Sequence, residues 1–297
     1  MPSFAFVTVD VFTEQRFGGN PLAVFPDARG LSDDAMQALA AEFNLSETTF
    51  VLPPADPANT ARVRIFNRKH EMAFAGHPNV GTGYVLAQQG RAANGVLRFE
   101  EKAGLVEVKV ERDASGALAG TTIAAPQPLS LGGELPREAI AECAGISPAE
   151  VRTAAHPPLV ASVGIQFVLA EVAPEALARA TPNLPAFRAA VARWPELAGR
   201  LSLYLYARGE DRTRIRARMF APLAGTWEDP ATGSAATPLG CLLLSLTTGE
   251  RARFAIEQGV EMGRPSLLRV EAWRTPEGLR ASVGGACVPV LRGEAQV

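Results

Sequence analysis

Four polar side chains stand where acid–base chemistry could be carried out: Glu47, His77, Asp229 and Ser234. Glu47 lies between a helical pattern and a strand-like run, flanked by Ser46, Thr48, Thr49 and Phe50. A carboxylate beside apolar residues is partly desolvated, which raises its proton affinity toward that of a general base; on an open loop it would be only a solvated glutamate. His77 sits in Gly76-His77-Pro78, where its imidazole could act as an acid or hydrogen-bond donor near neutral pH, or serve only as a structural residue at a helix start. Asp229, in Asp229-Pro230-Ala231-Thr232-Gly233-Ser234, reads either as an Asx-type turn former or as an acceptor facing a ligand. The other two histidines carry less: His70 reads as solvated on a basic turn, and His156, before two prolines, as a loop residue.

Gly76-His77-Pro78 and Thr232-Gly233-Ser234 both have the form of a helix start. Unpaired N–H groups at such a start hold a carboxylate or phosphate without any Lys or Arg; the same segments could also be mere caps. Around them the pattern is mostly extended. Strand-like runs cover 4–9, 22–25, 48–52, 62–66, 96–99 and 105–110, and a helix capped by Ser32 is expected over 33–43. A second helix is expected over 79–89, closed by Gly90.

The latter half repeats this order. Arg216–Phe220 resembles Arg62–Phe66, Ser234 follows His77 at nearly the same offset, and Gly249 answers Gly90 as Glu257 answers Glu100. Both repeated helices are apolar all round, so each must be enclosed, and strands are the elements available to enclose it. Each half is therefore expected to curl a sheet around one helix. The two helix starts are expected to face a shared cleft.

With 47% apolar and 20% charged residues over 297 positions, the chain has ample material for a core. Twenty-nine basic against 31 acidic residues leave a formal charge of −2, which lacks the basic footprint of a nucleic-acid binder. Three scattered cysteines make neither a disulfide framework nor a metal knuckle. No apolar run approaches membrane-spanning length, and the first residues have no signal-peptide pattern, so a cytoplasmic protein is expected. The glycine spacing from Gly76 to Thr82 puts Thr82 where a phosphate-binding loop needs lysine, and Gly81-Thr82-Gly83 lacks the third glycine of a dinucleotide fingerprint. No cofactor and no metal are implied.

Four runs in order, Asp10-Val11-Phe12-Thr13 through Phe17-Gly18-Gly19-Asn20-Pro21, Asn44-Leu45-Ser46-Glu47-Thr48, Phe74-Ala75-Gly76-His77-Pro78 and Glu228-Asp229-Pro230-Ala231-Thr232-Gly233-Ser234, resemble the PhzF-like isomerase family of phenazine biosynthesis. The resemblance spans nearly the whole chain. It implies an α+β, diaminopimelate-epimerase-like fold: two pseudo-repeated halves, each a sheet wrapped around a central helix. The first half would take in 1–123 completed by 283–297, the second 124–282, with the active site in the cleft between them. It further implies Glu47, His77 and Asp229 as catalytic residues, with Ser234, Gly233, Gly76 and Asn20 binding a small carboxylate substrate. The implied reaction is a cofactor-independent isomerisation by proton transfer, as on a dihydro-hydroxyanthranilate, in a homodimer.

Where related epimerases carry two cysteines at the helix starts, this chain has His77 and Ser234, which disfavours thiol-based racemisation. Met72-Ala73, Asn79 and Arg68-Lys69-His70 depart from the family pattern and are expected near the cleft rim, bearing on substrate identity. An epimerase or dehydratase of the same fold, and a non-catalytic small-molecule or partner-binding protein, remain the alternatives.

Overall fold

The structure, a computed structural model, describes residues 2–297. They form two compact units: the chain up to Ala124 together with Gly284–Val297, and Ala125–Val283. The first contains β1 (Ser3–Val11), β2 (Asn20–Phe25), α1 (Asp33–Phe43), β3 (Glu47–Leu52), β4 (Ala61–Phe66), β5 (Glu71–Met72), α2 (Gly76–Gln88), β6 (Val96–Glu101), β7 (Gly104–Arg112) and β8 (Leu118–Ala124). The second contains β9 (Ser130–Glu134), α3 (Arg137–Ala144), β10 (Val151–Arg152), β11 (Leu159–Ser162), β12 (Gln166–Val172), α4 (Pro174–Arg179), α5 (Leu184–Arg193), β13 (Leu203–Arg208), β14 (Arg214–Ala221), β15 (Thr226–Asp229), α6 (Gly233–Ser245), β16 (Arg251–Gln258) and β17 (Ser266–Thr275). Strand β18 (Gly278–Gly285) leaves it, and β19 (Cys287–Gln296) pairs antiparallel with β1 in the first unit.

The pseudo-repeat is a property of strand pairing, independent of sequence. In the first unit β2 runs parallel to β3, β3 antiparallel to β4, β4 parallel to β6 and β6 antiparallel to β7. In the second, β12, β13, β14, β16 and β17 repeat that alternation. Even the register agrees: Arg62 lies opposite Glu100, and Arg216 opposite Glu257. The expected fold class, two similar halves each wrapping a helix, is the one observed.

Helices α2 and α6 are the enclosed ones, each 13 residues long. Every residue of α2 from Gly76 to Ala87 is buried. The sheet approaches so closely that side chains would not fit: a Cβ on Gly81 would lie 2.6 Å from Leu22 and 2.8 Å from Val11, and one on Gly83 would lie 2.5 Å from Val108. Leu22 and Val11 belong to β2 and β1, Val108 to β7, so α2 is gripped from both ends of its sheet. In α6, Gly240 meets Val270 of β17 in the same way, at 2.6 Å. Three buried hydroxyls on and around α2 are paired, Thr49 with Thr82 at 2.8 Å and Thr121 onto the Val80 carbonyl at 2.6 Å, as polar groups away from water require.

Helix α1 matches its expected span, with Ser32 Oγ accepting the Ala35 amide at 3.2 Å. Asn44 ends it in the left-handed region at φ 52°, which lets the chain reverse directly into β3 at Glu47. Two expectations shift. Helix α2 starts at Gly76 rather than 79, because Pro78 needs no N–H partner in a first turn, and α6 stops at Ser245, short of Gly249. His156 lies in a loop, as expected, and is buried there: its Nε2 lies 2.6 Å from the Tyr206 hydroxyl and its Nδ1 2.7 Å from the Pro157 carbonyl. Among the described residues no helix is long and apolar enough to cross a membrane.

A branched side chain at Gly81 must displace β1 and β2. Gly81→Val is expected to cost about 1–3 kcal/mol of stability, the range for overpacking a tight core. Urea unfolding should show a lower midpoint at an unchanged slope; an unchanged midpoint would mean the enclosure is looser than the contacts indicate.

Candidate active site

Three of the proposed residues meet in the first unit. Asn20 opens β2, Glu47 opens β3 beside it with Leu22 as its register partner, and His77 is the second residue of α2. The loop leading to Asn20 is tightly set: the Asp10 carboxylate accepts the Phe17 amide at 2.7 Å, and Gly19 has a φ of 62° with no room for a Cβ, which would lie 2.4 Å from the Val11 carbonyl oxygen. Glu47 Oε2 approaches His77 Nδ1 at 3.3 Å, with the histidine side chain 6% and the glutamate side chain 16% exposed. Asn20 Nδ2 lies 3.4 Å from the same ring nitrogen.

Burial pushes the His77 pKa down to about 3, against a smaller upward pull from the Pro21 carbonyl. The ring is therefore neutral at physiological pH, with one proton to place. The Glu47 carboxylate at 3.3 Å and the Pro21 carbonyl are acceptors and outweigh the Asn20 amide at 3.4 Å, which assigns that proton to Nδ1. Nε2 is then left as an acceptor, and it is buried without a hydrogen-bond partner. A buried polar atom lacking a partner is costly, and in a site it marks where a ligand's donor belongs. Behind it, α2 begins with no side-chain cap at Ala75, so Gly76 and His77 present their amides at the positive end of a buried helix.

The second unit carries the other group. Asp229 ends β15, and Gly233 and Ser234 begin α6, again with no side-chain cap, at Thr232. The Ala235 and Ala236 amides already donate to the Thr232 carbonyl, at 3.1 and 3.0 Å, so Gly233 and Ser234 supply the amides ahead of the helical ladder. Thr232 Oγ1 donates to Asp229 Oδ2 at 2.5 Å. Gln258, fully buried, braces this turn: its Nε2 donates to the Asp229 carbonyl at 2.8 Å and to Thr232 Oγ1 at 2.9 Å, while its Oε1 accepts from Thr232 N and the Tyr204 hydroxyl. Tyr204 has its pKa raised well beyond the usual phenol range by burial and by Asp229, so it stays a donor. Arg218 fixes β15 from behind, gripping Glu228 at 2.7 and 2.8 Å and the carbonyls of Leu177 and Ala180.

Asn20, Glu47, Gly76 and His77 thus lie together in the first unit, and Asp229, Gly233 and Ser234 in the second. Sequence reasoning missed Gln258, Tyr204 and the Pro21 carbonyl. A glutamine one residue past the repeated Glu257 landmark was the available signal for the first. Asn79, expected at a rim, is fully buried, with its Nδ2 on the Ala75 carbonyl at 3.1 Å. Cys241 lies in the core, and burial pushes its thiol up to about 12.

The sequence profile of the family described as phenazine biosynthesis-like protein matches residues 9–293. The chain is 39% identical to an uncharacterized isomerase of Mesorhizobium japonicum, over 97% of both chains. It is 35% identical to the trans-2,3-dihydro-3-hydroxyanthranilate isomerase of Pseudomonas fluorescens, over 97% of this chain and 98% of that one. Its fold is similar to that of a Bacillus anthracis phenazine biosynthesis protein of the PhzF family, at 24% identity and a TM-score of 0.88 over the whole of both chains.

A histidine held neutral by burial binds fewer protons folded than unfolded. Between its unfolded pKa of 6.5 and its folded value of about 3, stability must therefore fall as pH falls. Urea titrations of wild type and His77→Gln from pH 7 to 3.5 should show the wild type losing stability faster below pH 6.5. Parallel curves would show that the ring is not buried neutral.

Proposed function

The chain belongs to the phenazine biosynthesis-like protein family and is an isomerase; within that class, we propose that it moves a proton between carbons of a small carboxylate-bearing substrate without a cofactor. The observation that carries this reading is the Glu47–His77 contact at the uncapped start of α2, with Nε2 of the neutral ring unpartnered. A binding protein has no need of a carboxylate poised against a neutral imidazole beside an anion-favouring helix start.

In this reading the Glu47 carboxylate takes a proton from an activated carbon of the substrate, and the electron pair left behind spreads into the adjoining unsaturated system. Glu47 then delivers a proton, exchangeable with solvent while the carboxyl holds it, to another carbon, so substrate and product share one formula and Glu47 ends as it began. His77 Nδ1–H holds the carboxylate in aim, and Nε2 accepts from a substrate hydroxyl or amino group. Asp229, steadied by Thr232 and Gln258, accepts from a second such group. The amides at Gly233 and Ser234, with the Ser234 hydroxyl, hold the substrate carboxylate, and those at Gly76 and His77 stabilise charge that develops during transfer. A dihydro-hydroxyanthranilate fits this set of groups, and a second copy of the chain completes a homodimer.

An epimerisation or dehydration would use the same base. A two-thiol mechanism is disfavoured, because His77 and Ser234 occupy the helix starts and Cys241 is buried with its proton firmly held.

Incubated with trans-2,3-dihydro-3-hydroxyanthranilate in deuterated water, the wild type should form an isomer carrying deuterium on carbon. Glu47→Gln should slow this at least about 100-fold, the lower end of what a general base contributes. Tight binding with no exchange by the wild type would overturn the catalytic reading. Ser234→Ala should raise KM more than it lowers kcat, and equal losses in both would remove its assigned role.

A further inference from the structure

Each helix start is delivered by a short strand, and the same three side chains stand beside both strands. In the first unit Arg64 of β4 forks onto Glu71 of β5, Nε to Oε1 and Nη2 to Oε2, both at 2.8 Å. In the second, Arg218 of β14 forks onto Glu228 of β15 through the same atoms, at 2.7 and 2.8 Å. Each guanidinium also lies over the phenylalanine two residues further along its own strand, 5.1 Å from the Phe66 ring centre and 4.9 Å from that of Phe220. The remaining nitrogen, Nη1, reaches a neighbouring helix: Asp33 and Met36 of α1 in the first unit, the Leu177 and Ala178 carbonyls of α4 in the second. Lys102, an exposed side chain, adds a further contact to Glu71 at 2.6 Å.

The strand register is shared as well. Met72, one residue past Glu71, lies opposite Ile65, and Asp229, one residue past Glu228, lies opposite Met219. From the glutamate it is five residues to the first of the helix in each unit, Gly76 or Gly233, and six to His77 or Ser234. All four charged side chains are between 8 and 12% exposed. A sheltered ion pair adds little net stability over an apolar pair of its size, because both charges have given up water. What a fork packed on a ring does supply is geometry, since two parallel hydrogen bonds in one plane admit a single alignment of the strands that carry them. Neither helix has a side-chain cap at its start, so the placing of its first residues falls to the strand that leads into it.

We propose that Arg64–Glu71 and Arg218–Glu228 are one positioning device used twice, each pair fixing the short strand that leads into a helix start. The first sets His77 against Glu47 and so governs proton transfer. The second sets the Gly233 and Ser234 amides and so governs the grip on the substrate carboxylate. This kinetic division rests on the proton-transfer reading; the placement of His77 does not.

Glu71→Gln and Glu228→Gln each remove the charge of one fork, and Arg64→Lys keeps the charge but loses the fork. With trans-2,3-dihydro-3-hydroxyanthranilate, Glu71→Gln and Arg64→Lys should each lower kcat about tenfold with KM nearly kept. Glu228→Gln should raise KM about tenfold with kcat nearly kept; a full 1 Å misplacement costs about 100-fold. Both constants unmoved in the folded variants, or the same split in both units, overturns the proposal. Independently of turnover, the two ring ¹⁵N resonances of His77, assigned by their loss in His77→Gln, should move toward each other in Glu71→Gln and Arg64→Lys, as the ring loses the single tautomer that Glu47 imposes. Unchanged resonances in those variants overturn the placement of His77. Absence of turnover by the wild type overturns the proton-transfer reading on this substrate, and the ¹⁵N comparison then decides the positioning role of Arg64 and Glu71 by itself.

Discussion

A helix enclosed on all sides must bury its own N-terminus, and that constraint shapes each unit of this protein. Residues 76 to 87 are all buried, and their sheet closes until glycine alone fits at 81 and 83. Enclosure strips the first amides of solvent without giving them a side-chain cap. The fold thereby creates a place that favours an anion. The second unit repeats the device with α6, Gly240 and an uncapped Thr232.

What surrounds each start differs, and the difference divides the chemistry. Beside α2 stand a carboxylate and an imidazole deprived of its charge by burial, a pairing suited to taking and returning a proton. Beside α6 stands a rigid acceptor network in which Thr232, Gln258 and Tyr204 hold Asp229 and the turn after it. An anion at either start would be held by oriented backbone dipoles, which need no reorganisation as charge moves.

Much of this was legible in the sequence because the constraint leaves marks on it. A helix with no polar face, glycines at its contacts and Gly-His-Pro or Gly-Ser at its start is unusual enough to be seen twice, and the repeated Arg62/Glu100 and Arg216/Glu257 pairs proved to share one strand register. Glu47 stands out in the sequence by its place where a helical pattern gives way to a strand. The rest depended on long-range packing. Nothing local to His156 reveals Tyr206 beneath it, and Asn79 reads as a rim residue until β6 is seen to bring Glu101 against it. The tautomer of His77 follows from Pro21 and Glu47, which the chain brings to it from 56 and 30 residues away.

The most direct test of the account is a crystal structure with 3-hydroxyanthranilate, a stable carboxylate-bearing ring, bound. The account predicts a ligand hydroxyl or amino group within hydrogen-bond distance of His77 Nε2, with the Glu47 carboxylate against a ring carbon. A ligand bound elsewhere, with Nε2 still lacking a partner, would contradict it.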